Sequence, residues 1–373
     1  MSLDLDRGTF VFASSRRGAT VGRVEGRLLR VMEALVERGA SVHLICEPGG
    51  PLAEPAVAAG VVVALYRLDR LNFFRTRSRM RKYLLRYQPA ILHSTGLEAD
   101  LLARMAAKDL PVKVVNSVHL ATWPPYGSTP LSRMVRRRLD AGTRGRADAF
   151  VVDREELAAR LVAVGVESER VVVDHPSVDI ARVARDAVPP AMLPGRSGTP
   201  AVGYAGRLEH ARGLDMLPAV SELLEARGRP ARVIVAGEGP AASKLAAAAA
   251  VGRVRLLGEV QSVPAVLAAL DVCCFPSSGP GTPTTLLEAA ALGRPLVATS
   301  VPGIAGLLAD GREALLVEPG DAMAFTNAVA SLLDDPERAA RMGAAARHRT
   351  IDEYSSTAAV ARHIALYRRL VAS

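Results

Sequence analysis

The sequence predicts an α/β protein built from two doubly wound parallel sheets, and three observations support this prediction. The chain has 373 residues, which is long for a single hydrophobic core. Short apolar segments alternate throughout with stretches of helical periodicity, and parallel strands need crossover helices of that kind. The alternation stops once, at residues 186–200, where proline and glycine predict an interdomain linker.

The strand predictions follow the apolar segments. Residues 1–185 hold seven of them, at 9–14, 41–46, 61–66, 90–94, 112–119, 149–153 and 170–175. The pattern restarts in residues 201–355 with six more, at 201–206, 231–237, 253–258, 271–277, 294–300 and 314–320. Residues 356–373 are predicted to form a C-terminal helix that packs back on the first domain. Open α/β sheets bind ligands at the carboxyl ends of their strands, so we expect two Rossmann-like domains facing each other across a cleft.

The charge is unevenly distributed. The net charge is +9, and residues 1–185 account for all of it, with 29 Lys and Arg against 20 Asp and Glu. The excess is concentrated in residues 70–87 and 133–146. This asymmetry predicts contact with an anionic partner or a membrane surface through 70–87, and a solvated basic face is the alternative.

Other features of the chain predict a cytoplasmic protein, peripheral at the inner membrane face if 70–87 docks there. No apolar run is long enough to span a bilayer, and the first residues do not resemble a secretory signal. The three cysteines, Cys46, Cys273 and Cys274, lie in apolar segments and are predicted to be buried free thiols.

A helix in the second half is predicted to bind an anion at its start. Thr282 is expected to cap it, Pro283 to occupy its first position and Gly293 to end it. Its first turn then leaves backbone N–H groups around Thr284 and Thr285 without intrahelical partners.

Glu288 shares the face of these threonines, one turn further along. A carboxylate so close to a phosphate site would repel the phosphate unless hydroxyl donors lay between the two groups. A ribose diol joined to a diphosphate supplies that arrangement. The alternative is a Glu288 paired with an arginine, such as Arg294 or Arg207.

Two loops complete the predicted site. Arg207 and Arg212 lie on the loop that follows the strand ending at Gly206, and two guanidinium groups there suit a diphosphate whose charge grows as it leaves. Glu238, in the glycine-rich turn VIVAGEGP, is expected to shape its loop rather than touch the ligand.

These motifs, taken in the order GRLEHARGLD, VIVAGEGP, DVCCFPS, TTLLEAAALGRPLVAT and VPGIAGLL, resemble the family 4 retaining glycosyltransferases of GT-B fold. The resemblance extends over nearly the whole chain and is more specific in the second half. It implies a nucleotide-sugar donor, a UDP-sugar rather than a GDP-sugar, as co-substrate, with no further cofactor and no metal ion. The first domain would bind the acceptor.

The resemblance also implies residue roles. Glu288 would hold the ribose, Arg207 and Arg212 the diphosphate, and Gly258 to Val263 the base. The other donor-binding residues implied are Gly206, Gly281, Thr284 and Thr285.

The resemblance assigns roles in the first domain as well. His119, which follows a strand in a cleft position, would contact the donor sugar and act with the arginines in catalysis; a histidine hydrogen-bonded within the core or the loop is the alternative. Acceptor-binding candidates are His93, Trp123 and Tyr126.

The chain departs from the family motif at two places. Pro280 stands where the family has a glutamate that contacts the sugar. Either a neighbour such as Ser278 replaces it, or the donor sugar is atypical, or the activity is reduced. The paired glycines of the first loop are reduced to SSRRGAT, which leaves Gly18 as the phosphate contact.

The mechanism implied is attack by an acceptor hydroxyl on the same face as the departing phosphate. The acceptor would be a small-molecule glycoside, an aminocyclitol or a lipid-linked molecule, and nucleic acid is not expected as a partner. The alternatives are an epimerase or hydrolase on the same fold and a degenerate protein that binds nucleotide-sugars without turnover.

Overall fold

The protein is described here by a computed structural model, which covers residues 8–15, 23–68, 72–119, 130–188, 198–279 and 281–372. Within it the chain divides into two compact units. The first comprises Met1–His175 with Ala359–Ser373, and the second comprises Pro176–Ala358. The chain therefore enters the second unit about ten residues earlier than the predicted boundary at residue 185.

The first unit contains a parallel sheet of seven strands in the described residues, in the order β3-β2-β1-β4-β5-β6-β7. The strands are β1 Thr9–Ser14, β2 Ser41–Cys46, β3 Val62–Leu65, β4 Ile91–Thr95, β5 Lys113–Val118, β6 Ala149–Val152 and β7 Val171–Val173. All seven lie where the apolar segments predicted them. The almost continuous burial of the strands is typical of parallel sheets covered on both faces.

Helices cover both faces of this sheet. They are α1 Arg23–Glu37, α2 Ala53–Ala58, α3 Phe73–Tyr87, α4 Leu97–Ala106, α5 Pro130–Arg144, α6 Glu155–Ala163 and α14 Ser356–Ala372. One core cluster joins Phe10 and Phe12 of β1 to α1, α2 and α14, and a second joins Val11 of β1 to α3, α4 and α6. The alternation of side chains along β1 thus places neighbouring residues in opposite cores.

A buried ion cluster ties α14 to the first unit. Asp174, which follows β7, is 1% exposed and accepts hydrogen bonds from Arg27 of α1 at 2.6 Å and from Nη2 of Arg362 of α14 at 2.7 Å. Burial acts to raise the pKa of Asp174, but Arg27, His363 and Arg362 lower it below its ordinary value. The carboxylate therefore links the carboxyl end of the sheet to two helices.

The second unit contains a parallel sheet of six strands in the described residues, in the order β10-β9-β8-β11-β12-β13. The strands are β8 Ala201–Ala205, β9 Arg232–Ala236, β10 Arg255–Leu256, β11 Val272–Phe275, β12 Leu296–Thr299 and β13 Leu315–Val317. They too lie within the predicted segments. Cys273 and Cys274 of β11 are buried free thiols, as is Cys46 in the first unit, so the cysteine prediction is confirmed.

The helices of the second unit are α7 Ile180–Asp186, α8 Leu217–Ala226, α9 Ala242–Ala250, α10 Val263–Ala269, α11 Thr284–Ala291, α12 Ala322–Asp334 and α13 Pro336–Tyr354. The helix α7 belongs here, although the sequence analysis placed most of it in the first domain. Val178, just before it, bridges to Ser355 at the end of α13, and Val183 is buried in the core of the second unit. These contacts join segments far apart in sequence, which local patterns do not reveal.

Candidate active site

The candidate site lies at the carboxyl edge of the second sheet. The strand order reverses between β8 and β11, and in open α/β sheets the loops on either side of such a point diverge and leave a crevice. The loop after β8 carries Arg207 and Arg212, and the segment after β11 leads into α11, which begins with Thr284 and Thr285. The fold therefore brings together residues that the sequence placed in two separate motifs.

Gly206 places the loop after β8 against the start of α11. Its φ of 144° and its surroundings both require glycine, because a Cβ atom there would lie 2.9 Å from the Tyr204 hydroxyl and 3.0 Å from Cγ2 of Thr285. The Gly206 N–H donates to the carbonyl of Ala236 at the end of β9. The backbone can approach α11 this closely only without a side chain.

Gly213 joins the same loop to the segment before α11. A Cβ atom at this residue, where φ is 61°, would collide with the carbonyl oxygen of Pro276. The N–H groups of Ser278 and Gly279 donate to the carbonyl of Ala211 at 3.0 and 3.2 Å. The segment that carries Arg212 is therefore attached directly to the loop that leads into α11.

The neighbouring loops support this arrangement. The Leu208 N–H donates to the carbonyl of Glu238 at 2.8 Å, so Glu238 takes part in loop structure through its backbone. The Gly237 N–H donates to the carbonyl of Gly258 at 2.7 Å, which places Gly258 next to the turn after β9. On the other side, the Gly281 N–H donates to the carbonyl of Pro302 at 2.8 Å.

The start of α11 differs from the prediction. Thr282 does not cap the helix: Pro283 holds the cap position, and the Thr282 hydroxyl donates to the carbonyl of Gly303. Thr282 thereby contacts the loop after β12, in which Gly303 approaches the backbone of Gly281 closely. The first helical residues are nevertheless Thr284 and Thr285, so the amide groups of the first turn lie where the prediction placed them.

The two arginines differ in how firmly they are held. The Arg207 side chain is 86% exposed and lies 3.5 Å from Glu209. The Arg212 side chain is only 17% exposed, with Nη2 3.9 Å from Glu209. Among the described residues, its Nη1 is buried and has no hydrogen-bond partner.

A second unsatisfied group lies nearby. The Thr285 hydroxyl lies close to that of Tyr204 and, within the ranges that the structure describes, makes no hydrogen bond of standard geometry. The Tyr204 hydroxyl donates to the carbonyl of Arg207 at 3.1 Å. Burial raises the pKa of Tyr204, and the charge of Arg212 and a weak hydrogen bond with Thr285 oppose this rise. Arg212 and Thr285 therefore both lie close to the Tyr204 hydroxyl.

Glu288 is buried and paired with an arginine, but not with either arginine named in the sequence analysis. Nη2 of Arg182, on α7, donates to Oε1 of Glu288 at 2.5 Å. Burial raises the pKa of Glu288 above its ordinary value, while the hydrogen bond and charge of Arg182 oppose that rise. Arg182 was missed because it lies 106 residues away in sequence, on a short helix with no motif of its own.

In the first unit, His119 follows β5 at the carboxyl edge of the sheet and is half-buried. Its position matches the prediction, and its role stays a prediction. The residues Gly18, Trp123, Tyr126 and Pro280 lie outside the described residues. Ser278 is exposed, and its hydroxyl donates to the carbonyl of His210 at 3.4 Å.

The structure does not support acceptor binding by His93. Its side chain is completely buried between β1 and α14. Nδ1 pairs with the Tyr367 hydroxyl at 2.5 Å and Nε2 with the Ser117 hydroxyl at 2.8 Å. Burial, the largest cause, holds the pKa of His93 well below its usual range. His93 is thus a core residue, because the docking of α14 covers the strand position that seemed open in the sequence.

No group of three or more His, Cys, Asp or Glu side chains in the described residues is placed to hold a metal ion. No helix in those same ranges is long and apolar enough to cross a membrane.

Two family models, which together match most of the chain, identify it as a glycosyltransferase of GT-B fold. It belongs to the family 4 glycosyltransferases. The family model described as Glycosyltransferase Family 4 matches residues 24–182, and the one described as Glycosyl transferases group 1 matches residues 199–335.

Three curated relatives show the range of similar enzymes. The 2-deoxystreptamine glucosyltransferase of Streptomyces kanamyceticus is 29% identical over 77% of this chain and 80% of that protein. The alpha-D-kanosaminyltransferase of the same organism is 31% identical over 47% of each chain. The D-inositol 3-phosphate glycosyltransferase of Streptomyces avermitilis is 33% identical over 54% of this chain and 48% of that protein. The last two matches span about half of each relative's length.

Solved structures confirm the fold. A glycosyltransferase from Rickettsia africae superposes with a TM-score of 0.79 at 15% identity, covering 98% of this chain and 99% of that one. HepE of Anabaena, solved in complex with UDP, superposes with a TM-score of 0.75 at 16% identity, covering 96% and 99%.

Proposed function

We propose that the protein transfers a sugar from a UDP-sugar to a hydroxyl group of a small cyclitol acceptor, with retention of configuration and without a metal ion. The observation that carries this proposal is a pair of polar groups beside the Tyr204 hydroxyl that have no hydrogen-bond partner of standard geometry among the described residues: Nη1 of Arg212 and the hydroxyl of Thr285. Buried polar groups in native proteins nearly always have partners. A diphosphate at the start of α11 would supply both.

The diphosphate is the chemistry best suited to this place. The first-turn amides of α11 present a partial positive charge, and Arg212 adds a full charge that is already positioned by burial. Arg207 is exposed and free to close on the outer phosphate. Together these groups stabilise the charge that develops as the diphosphate departs.

The proposed position of the nucleoside is based on Glu288. One turn, about 5 Å, separates this carboxylate from the first turn of α11, which is the spacing a ribose needs between its phosphate and its two hydroxyl groups. We assign the ribose diol to Glu288 and the base to the backbone near Gly258. The UDP bound to HepE of Anabaena supports uridine as the base.

In the reaction, an acceptor oxygen forms a bond to the anomeric carbon as the bond from that carbon to the phosphate oxygen breaks. The acceptor's proton passes to the departing phosphate oxygen, so attack and departure share one face of the sugar. To His119 we assign contact with the donor sugar, a role that its place after β5 supports. A 2-deoxystreptamine glucosyltransferase and a D-inositol 3-phosphate glycosyltransferase among the relatives support a cyclitol acceptor.

The test is a matrix of donors and acceptors with product analysis. UDP- and GDP-linked hexoses and N-acetylhexosamines are incubated with 2-deoxystreptamine, myo-inositol and inositol 3-phosphate, and products are identified by mass spectrometry. The anomeric configuration is then read from the proton coupling of the new linkage. Protection of the protein against melting by UDP without turnover of any acceptor would instead support a degenerate binding protein, and release of free sugar alone would support a hydrolase.

We also propose that α3 brings the protein to an anionic membrane surface. This helix contains no acidic residue, and it exposes Phe74 by 77% and Leu85 by 53% of their surface. Exposed apolar side chains among basic ones are typical of helices that lie in a lipid interface. Sedimentation with vesicles of phosphatidylcholine, with and without phosphatidylglycerol, tests this. Equal sedimentation with both vesicle types at low salt would refute the membrane contact.

A further inference from the structure

Arg182 makes a contact that none of the roles assigned so far explains. It lies on α7, and its guanidinium group is held between two carboxylates: Nη2 lies 2.5 Å from Glu288, and Nη1 lies 3.4 Å from Asp186. The side chain is 40% exposed, whereas that of Glu288 is 11% exposed. Arg182 thus connects a buried acid of the candidate site to the solvent-facing side of α7.

The backbone of Arg182 is fixed by local structure. Its N–H donates to the side chain of Asp179, which caps α7, at 2.9 Å. At the other end of the helix, the Ser262 hydroxyl donates to the carbonyl of Asp186 at 2.5 Å, and Val183 is buried in the core. A helix held at both ends and along one face presents its arginine in one place.

The contact leaves half of the Glu288 carboxylate available. The hydrogen bond from Arg182 goes to Oε1, and no other hydrogen bond to the side chain of Glu288 is present in the part of the chain described. A carboxylate has about four acceptor positions, so Oε2 and the second lone pair of Oε1 stay able to receive hydroxyl groups. A ribose diol needs two such acceptors.

Few other charges face this carboxylate. Asp186 of α7 acts on it electrostatically, in the opposite sense to Arg182. The helix α10 and the strand β12, which also pack against α11, carry no titratable side chain. On α13, Arg347 lies at the far end of α11, beside Gly293. Arg182 is therefore the nearest positive charge to Glu288 among the described residues.

We propose that Arg182 is a positioning residue for the donor nucleotide: it keeps Glu288 ionised in its buried place and turns the free carboxylate oxygen toward the ribose diol. The proposal rests on the assignment of the ribose to Glu288. A buried acid without a cationic partner tends to take up a proton, and a protonated acid is a poor acceptor for two hydroxyl groups. The arginine thus acts on the ligand through the acid.

The experiment compares UDP with 2′,3′-dideoxy-UDP, which lacks the diol. Both ligands are titrated calorimetrically between pH 5.5 and 8.5, and the ratio of their dissociation constants isolates the diol contact from the ionisation of the phosphates. The variants are R182Q, R182K and E288Q. The matched control is R185A, because Arg185 lies on the same helix, is 74% exposed and contacts Asp186 but not Glu288.

In the wild type, UDP should bind at least tenfold more tightly than its dideoxy analogue, and this preference should fall as the pH drops and Glu288 takes up a proton. In R182Q, the loss of preference should begin at a higher pH and the preference at pH 6 should fall several-fold. R182K keeps the charge and should recover most of the preference, and R185A should match the wild type. Thermal melting shows that each variant is folded.

Two results would overturn the proposal. A pH profile in R182Q identical to that of the wild type would mean that Arg182 is only structural, and tighter UDP binding in R182Q would mean that it obstructs the site. A different result would show that Glu288 does not bind the ribose. In that case the wild type and E288Q would bind UDP equally, and neither would distinguish UDP from its dideoxy analogue. If R182Q does not fold, R182M, which also removes the positive charge but keeps a side chain of similar length, takes its place in the same comparison.

Discussion

Replacement of Arg212 by alanine should weaken binding of UDP more than replacement of Arg207, although the two arginines lie on the same loop. Hydrogen bonds to charged groups contribute about 1.5–3 kcal/mol each. Arg212 is held in a buried position with one nitrogen lacking a partner, so little of that energy is needed to order the side chain. Arg207 is exposed and must be immobilised on binding, at about 0.5–1.5 kcal/mol.

The difference sets the expected magnitudes. For Arg212→Ala we expect a loss of about 2 kcal/mol, which is roughly a 30-fold rise in the dissociation constant of UDP. For Arg207→Ala we expect about 1 kcal/mol, or roughly fivefold. The removal of Arg212 leaves no buried carboxylate unpaired, since its neighbour Glu209 is partly exposed, and both variants should therefore fold normally.

Isothermal titration calorimetry of UDP against each variant checks these values, with thermal melting as the test of folding. Arg229→Ala is the control, because Arg229 lies at the opposite, amino end of β9 and pairs with Asp334 at the surface. An equal loss in the two site variants, or a larger loss in Arg207→Ala, would refute the argument that burial prepares Arg212 for the diphosphate.

Two further predictions concern the loops and the fold. Gly213→Ala should separate the Arg212 loop from the segment before α11, because the added Cβ atom would collide with Pro276. UDP binding should then weaken at least tenfold, while the circular dichroism spectrum is retained. Calorimetry measures the affinity, and an unchanged affinity would contradict the role of this close contact. Asp174→Ala should destabilise the first unit by about 3–5 kcal/mol, because it removes the carboxylate that pairs with the buried guanidinium group of Arg27 and the half-buried one of Arg362. Since the folded pKa of Asp174 is lowered, its contribution is present above the unfolded pKa of about 3.9 and is lost as the pH falls through the folded value. Urea unfolding at pH 7 and pH 3 measures the free energy of unfolding of the wild type and the variant. If the variant were destabilised by the same amount at both pH values, the stabilising role of the ion cluster would be contradicted.

The sheets and the main parts of the site could be read from the sequence because their signals are local. Buried parallel strands are short apolar runs, and their carboxyl ends are marked by the glycines and polar residues that follow. Gly206 and Arg212 after one strand and Thr284 after another were identified in this way. The order of the strands then brings them together, as expected where a doubly wound sheet reverses direction.

Other assignments depended on contacts that no local pattern records. Thr282 looked like a helix cap, yet its hydroxyl is used by Gly303. His93 looked like a residue at an open edge, yet Tyr367 of the C-terminal helix covers it. In each case the hydrogen-bond partner of the polar side chain in the folded protein is a residue distant in sequence.

The sequence by itself determined the two-sheet fold, the glycine-rich loops and the types of residue at the anion-binding end of α11, because apolar periodicity and backbone requirements act over a few neighbouring residues. Only the tertiary structure decided which charges meet. The pairing of Arg182 with Glu288 and the difference between a buried Arg212 and an exposed Arg207 come from the packing of distant segments. Burial and long-range electrostatics, rather than local propensity, determine the state of an ionised side chain in the folded protein.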